Sequence, residues 1–146
     1  MKKILFFIIA ISFFACEGPT GPEGPAGSNT SWHVESITIK KNEWKLSGKT
    51  GALNSYYYAE KPLKELTSFV YKQGLVGAYL QTDDKVKNEM PYVLHKGGVD
   101  KVGEFLWTQT YDFDFYTGGV CFYVTYSDFN TQIHPDEETF HVVLAW

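Results

Sequence analysis

EFLWTQTYDFDFYTGGVCFYVTY, residues 104 to 126, decides the fold. Phe105, Trp107, Tyr111, Phe113 and Phe115 share one parity, while Glu104, Thr108, Thr110, Asp112 and Asp114 take the other. After Thr117-Gly118-Gly119 the apolar parity resumes at Val120, Phe122, Val124 and Tyr126. Successive side chains of a strand point to opposite faces, so period two marks strands with one buried face. The two runs read as a β-hairpin. A two-residue turn at Gly118-Gly119 sets Phe115 opposite Phe122, Phe113 opposite Val124 and Tyr111 opposite Tyr126. A three-residue turn would set Asp112 and Asp114 against Val124 and Phe122, which core burial forbids.

The same alternation extends outward. Phe140, Val142, Leu144 and Trp146 form a last strand. Upstream, Trp32 and Val34 alternate before the phase slips to Ile37 and Ile39, which predicts a bulge. Trp44 and Leu46, Tyr56 to Ala59, Leu75 to Gln81 and Pro91 to His95 read as further strands, the last two separated by the polar loop TDDKVKNE. Pro62 to Val70 is the exception. Leu63, Leu66 and Val70 fall on one helical stripe, proline suits a first turn and Gly74 suits the position past the end, so a helix of about three turns is expected. About eight short strands and one helix imply an all-β antiparallel β-sandwich over residues 30–146, with the helix closing one end or edge. The terminal aromatic Trp146 invites comparison with outer-membrane barrels, but their strands alternate over about ten residues, longer than most here.

Composition agrees. The chain has 146 residues, room for one domain, and is 44% apolar, enough for a core. Aromatics at 17% favour strands. All thirteen basic residues are lysine and the net charge is −4, which argues against a nucleic-acid partner.

Residues 1–15 have a different character. Lys2 and Lys3 precede the apolar run Ile4 to Phe14, and Ala15 is the small residue before Cys16. An apolar run of this length falls well short of the roughly 20 residues that span a bilayer as a helix, so it reads as a removable export signal. Its removal takes away two lysines and moves the net charge from −4 to −6. Residues 18 to 27, GPTGPEGPAG, place glycine at every third position. That period suits a collagen triple helix, where only glycine fits at the axis. Three triplets are few to hold three chains, so a stiff polyproline-II spacer is the preferred reading, with a short trimer as the alternative. About 12 such residues would reach roughly 37 Å.

Phe13-Phe14-Ala15-Cys16 resembles the lipobox of bacterial lipoproteins, with Phe13 in place of the usual leucine. Together with Glu17 and the Gly-Pro triplets, residues 1 to 28 are similar to the collagen-like lipoproteins of Bacteroidota. The resemblance implies cleavage before Cys16, acylation of Cys16, and a lipid anchor in the outer membrane, on its periplasmic face or at the cell surface. Residues 16–29 would then be the lipidated tether. Two or more acyl chains hold a protein stably at a membrane. With Cys16 acylated, Cys121 is the remaining thiol, and no intramolecular disulfide is expected.

Reactive chemistry has little support in the sequence. Ser47-Gly48-Lys49-Thr50 imitates the end of a phosphate loop, but position 43 is Glu where its leading glycine belongs. Cys121 sits opposite the aromatic parity and reads as a small packed thiol, and whether His141 lies near it is not visible in the sequence. His33, His95, His134 and His141 lack metal-ligand spacing. Asp112 and Asp114, with Asp128, Asn130, Asp136, Glu137 and Glu138, are oxygen-rich without a recognised calcium-loop pattern. No catalytic residue, cofactor or metal site is therefore assigned. The sequence points to a non-enzymatic envelope lipoprotein, an accessory or interaction subunit whose partner is another envelope protein or a second copy. The alternative is a glycan-binding module, stacking sugars on two or three coplanar, exposed rings among Trp32, Trp44, Tyr56, Tyr57, Tyr58 and Tyr123.

Overall fold

The computed structural model describes residues 30–99 and 101–146. The expected signal peptide, Cys16 and the Gly-Pro segment lie outside them. In chain order the elements are β1 (Trp32–Ile39), β2 (Lys45–Ser47), β3 (Tyr56–Pro62), α1 (Ser68–Gln73), β4 (Leu75–Asp83), β5 (Val86–Glu89), β6 (Tyr92–Val99), β7 (Glu104–Tyr116), β8 (Gly119–Tyr126) and β9 (Glu138–Ala145). A 3₁₀ turn, Lys41–Glu43, joins β1 to β2. The strands form two antiparallel sheets, ordered β1-β9-β4-β5 and β2-β3-β8-β7-β6. The fold is the expected β-sandwich.

The inner faces meet at aromatic rings. Phe122 of the five-stranded sheet stacks on Phe140 of the four-stranded sheet, centroids 4.2 Å apart, and Trp44 meets Phe140 edge-on. Ile39, Tyr57, Leu80, Tyr111, Val124 and Leu144 are fully buried around them. Burying each such apolar side chain stabilises the fold by about 1.5–3 kcal/mol relative to leaving it in water.

The central hairpin keeps the expected faces but not the expected register. Phe113 pairs with Phe122, Phe115 with Val120 and Tyr111 with Val124, and Tyr116 with Gly119 closes the hairpin. The two-residue turn is therefore Thr117-Gly118, one position earlier than predicted. Gly118 has φ +87°, which glycine alone adopts freely, so it takes the second turn position. Its N–H donates to Leu66 O and its carbonyl accepts from Leu63 N, which fixes the turn against the chain before α1. Gly119 is a strand residue under the Tyr116 ring, where a Cβ would lie 2.6 Å from the ring.

Three other expectations change. β1 pairs with β9 without a bulge, because Trp32 and Val34 face outward while half-buried His33 and Glu35 share the inner parity with Ile37 and Ile39. The helix is only Ser68–Gln73: Pro62 still pairs with Gly119 in the sheet, and the Thr67 hydroxyl caps α1 by accepting from Val70 N. Leu63, Leu66 and Val70 are all buried, but the first two belong to a turn. Finally, the polar segment after Gln81 contains strand β5, paired with β4.

Candidate functional site

β9 runs the length of the four-stranded sheet, and its two ends carry different surfaces. At the Ala145 end the outer face is apolar. Trp32, Ala145 and Leu75 form one cross-strand row, and Val34, Val143 and Gly77 the next. Trp32 is 72% and Leu75 78% exposed. Towards Glu138 the same face turns polar and its groups satisfy each other. His141 Nε2 lies 2.7 Å from Gln81 Oε1, and the Thr38 and Thr139 hydroxyls are 2.9 Å apart. Partial burial lowers the His141 pKa, which keeps the ring neutral at pH 7.

The apolar end is also where the chain enters the domain. Ser31 and Trp146 exchange two backbone hydrogen bonds, of 2.7 and 2.9 Å, directly before the Trp32 row. The β7–β8 turn and α1 close this end from the other sheet.

At the opposite, Glu138 end lies a cleft of about 190 Å³. It arises because β7 is longer than its neighbour. β8 pairs with Gln109 to Tyr116, whereas Trp107 to Glu104 pair with β6 alone. The β6–β7 hairpin thus overhangs, and its inner-face residues Trp107 and Phe105 meet the 127–137 loop instead of a facing strand. The two rings stack with centroids 5.4 Å apart and planes 17° from parallel. Lys96, paired with Trp107 across the hairpin, lines the same cleft.

The floor is polar. Gln109 occupies the apolar parity of β7 and is 4% exposed. Its Nε2 donates to the Tyr111 hydroxyl (2.7 Å), which donates in turn to Glu138 Oε1 (2.5 Å). Burial raises the Glu138 pKa, opposed by the Tyr111 hydrogen bond and by Lys96. The Tyr111 pKa is pushed far up by burial and by that carboxylate. At the rim, Asp136 pairs with Lys41 at 2.9 Å, and its carbonyl accepts from Trp44 Nε1.

The residues singled out in the sequence are dispersed. Cys121 is buried on the outer face of the five-stranded sheet, its pKa raised by burial, beside Tyr123. His141 is on the outer face of the other sheet, so the two are not neighbours. Trp44 and Tyr57 are core residues, and Tyr56 meets Tyr123 edge-on at 62°. Of the six rings considered for sugar stacking, two are thus buried, Trp32 lies on the other sheet, and Tyr56 and Tyr123 are not coplanar. Asp114 accepts from the Tyr123 hydroxyl, and Asp128 from Asn130 N. Among the described residues no group of three or more His, Cys, Asp or Glu is placed to hold a metal ion.

Sequence reasoning missed the cleft because Phe105 and Trp107 continue the core parity. The available signal was Gln109, the polar residue interrupting that parity. Compared with known protein families, curated proteins and solved structures, the chain matches none.

Proposed function

We propose that this chain is a non-catalytic, lipid-anchored protein of the outer membrane, an accessory subunit whose sandwich docks on another envelope protein. The observation that carries the reading is the position of the two apolar rows. They lie at the end where the chain enters the domain, and so at the end nearest the anchor expected at Cys16. A proline-rich tether of that length keeps this end within about 40 Å of the bilayer surface. The occupant we assign is an apolar patch on the aqueous part of a protein embedded in the same membrane. Bare lipid fits less well, because the two rows hold no lysine and the chain without its signal carries −6.

The anchor and the docking face are separately testable. Cys16→Ser should leave the precursor uncleaved and without acyl groups. Normal processing of that variant, seen by mass spectrometry, would remove the lipoprotein reading. For docking, the tagged protein is recovered from membranes in mild detergent beside Trp32→Ser and Leu75→Ser. Both side chains are exposed, so folding should be unaffected, while the co-purifying membrane protein is lost. Equal recovery with both variants would contradict the docking face. A wild-type oligomer dissociated by the same substitutions would replace the membrane partner with a second copy.

A further inference from the structure

We infer that the cleft at the Glu138 end binds a neutral saccharide, taking one pyranose ring. The inference does not depend on the docking reading, since it uses the opposite end of the sandwich and none of the same residues.

Three observations converge. The first is a stacked aromatic pair held in place. Phe105 is 42% exposed, yet its ring lies over Gly98 so closely that a Cβ there would stand 2.6 Å from a ring carbon, and Trp107 stacks beside it. A pyranose has one face of C–H bonds, and such a face covers an aromatic ring with little loss of hydration.

The second is a free acceptor on the floor of the cleft. The Tyr111 proton goes to Glu138, so the Tyr111 oxygen can only accept from Gln109, and the amide must present Nε2 to it. That leaves Gln109 Oε1 as the free acceptor of a residue that lines the cleft. No fully buried side-chain nitrogen or oxygen among the described residues lacks a partner, so this oxygen is open to solvent in the cleft and can accept from a ligand that displaces water. Glu138 Oε2 likewise has no described partner, and Lys96 supplies a donor across from it. Hydroxyl groups both donate and accept, so a sugar edge satisfies this mixture.

The third is charge and size. Of the three carboxylates that line the cleft, Asp136 pairs with Lys41 and Glu138 has its charge favoured by Lys96, while Asp128 accepts from Asn130 N. With a lysine beside two of the three, the cleft favours a neutral ligand over a cation. The volume of about 190 Å³ is below the roughly 300–1,000 Å³ of drug-sized pockets, which sets the occupant at about one ring.

The test titrates the full-length protein, solubilised in a polyoxyethylene detergent that carries no sugar headgroup. The probes are the methyl pyranosides of glucose, galactose, mannose and N-acetylglucosamine, with tetramethylammonium chloride as the cationic control. Ligand saturation-transfer NMR reads binding. We expect at least one pyranoside to bind with a Kd in the millimolar range, and Gln109→Leu to weaken it about tenfold or more. Phe105→Ala should do the same, and because this ring is at the rim it serves as the variant that keeps the fold. Binding of tetramethylammonium alone, binding of none of the probes, or pyranoside binding unchanged in Phe105→Ala would each overturn the assignment.

Discussion

The two ends of β9, residues 138 and 145, lie roughly 24 Å apart along the strand and are closed in different ways. At the Ala145 end the chain is secured by backbone. Ser31 pairs with Trp146, Gly118 with Leu63 and Leu66, and apolar side chains are left bare on the outside. At the Glu138 end the closure is made by side chains, Gln109 to Tyr111 to Glu138 and Lys41 to Asp136, around a recess. Backbone closure tolerates a change of side chain, so the outer surface at the Ala145 end can vary with a partner. Side-chain closure ties stability to the groups that line the cleft. The difference therefore separates the surface proposed for docking from the recess proposed for a saccharide.

The largest effect should come from the core that both ends share. Phe122→Ala removes the ring stacked on Phe140 and should cost about 3–5 kcal/mol in chemical denaturation, through lost burial and a cavity. A loss well under this would mean that the sheets are not packed on each other there. Tyr111→Phe comes next. It deletes the hydroxyl shared by Gln109 and Glu138 and leaves one buried and one half-buried polar group without their partner, a cost of about 1–3 kcal/mol. If its denaturation midpoint matches wild type, the side-chain closure of that end is wrong. Gly118→Ala acts at the other end. A Cβ there meets nothing within 4 Å, so the cost is that of a left-handed backbone alone, about 1–2 kcal/mol. Sugar binding should be unchanged in this variant, and a loss of binding would join the two ends that the comparison separates.

The smallest effect is in the pH dependence. Burial raises the Glu138 pKa in the folded state above its unfolded value. The folded protein then holds this proton more tightly, so the Glu138 contribution is fully present below the unfolded pKa and is lost as pH rises through the folded one. Glu138→Gln cannot titrate. Denaturation midpoints of the two proteins from mildly acidic pH upward should therefore differ in slope, wild type falling relative to the variant across that window. Parallel curves would show that Glu138 is not held in a desolvated site.

The same contrast explains what was legible in the sequence. Parity in the β7–β8 hairpin was readable because Phe113, Phe122 and Val124 bury one face, and a one-residue slip would reverse every side chain. A shift of two residues preserves parity, so the pattern could not choose between Gly118-Gly119 and Thr117-Gly118. That choice rests on the hydrogen bonds of Gly118 to Leu63 and Leu66, which are distant in sequence. β1 was misread because Trp32 and Val34 are apolar on the outside, contrary to the rule that places such residues inward. The helix was begun too early because Leu63, Leu66 and Val70 are buried together whether or not the chain between them is helical. β5 carries little apolar signal, having one exposed apolar residue, Val86. The cleft depends on the overhang of β7 past β8, a matter of relative strand length that no local pattern records.

The separation of roles between the two ends is tested most directly by photo-crosslinking in intact membranes. A photoreactive side chain is placed at position 75 in place of Leu75 and, in a second protein, at position 105 in place of Phe105. The account predicts that the probe at position 75 crosslinks to a membrane-embedded protein, and that the probe at position 105 does not. Crosslinks to that protein from position 105 alone, or from neither position, would contradict it.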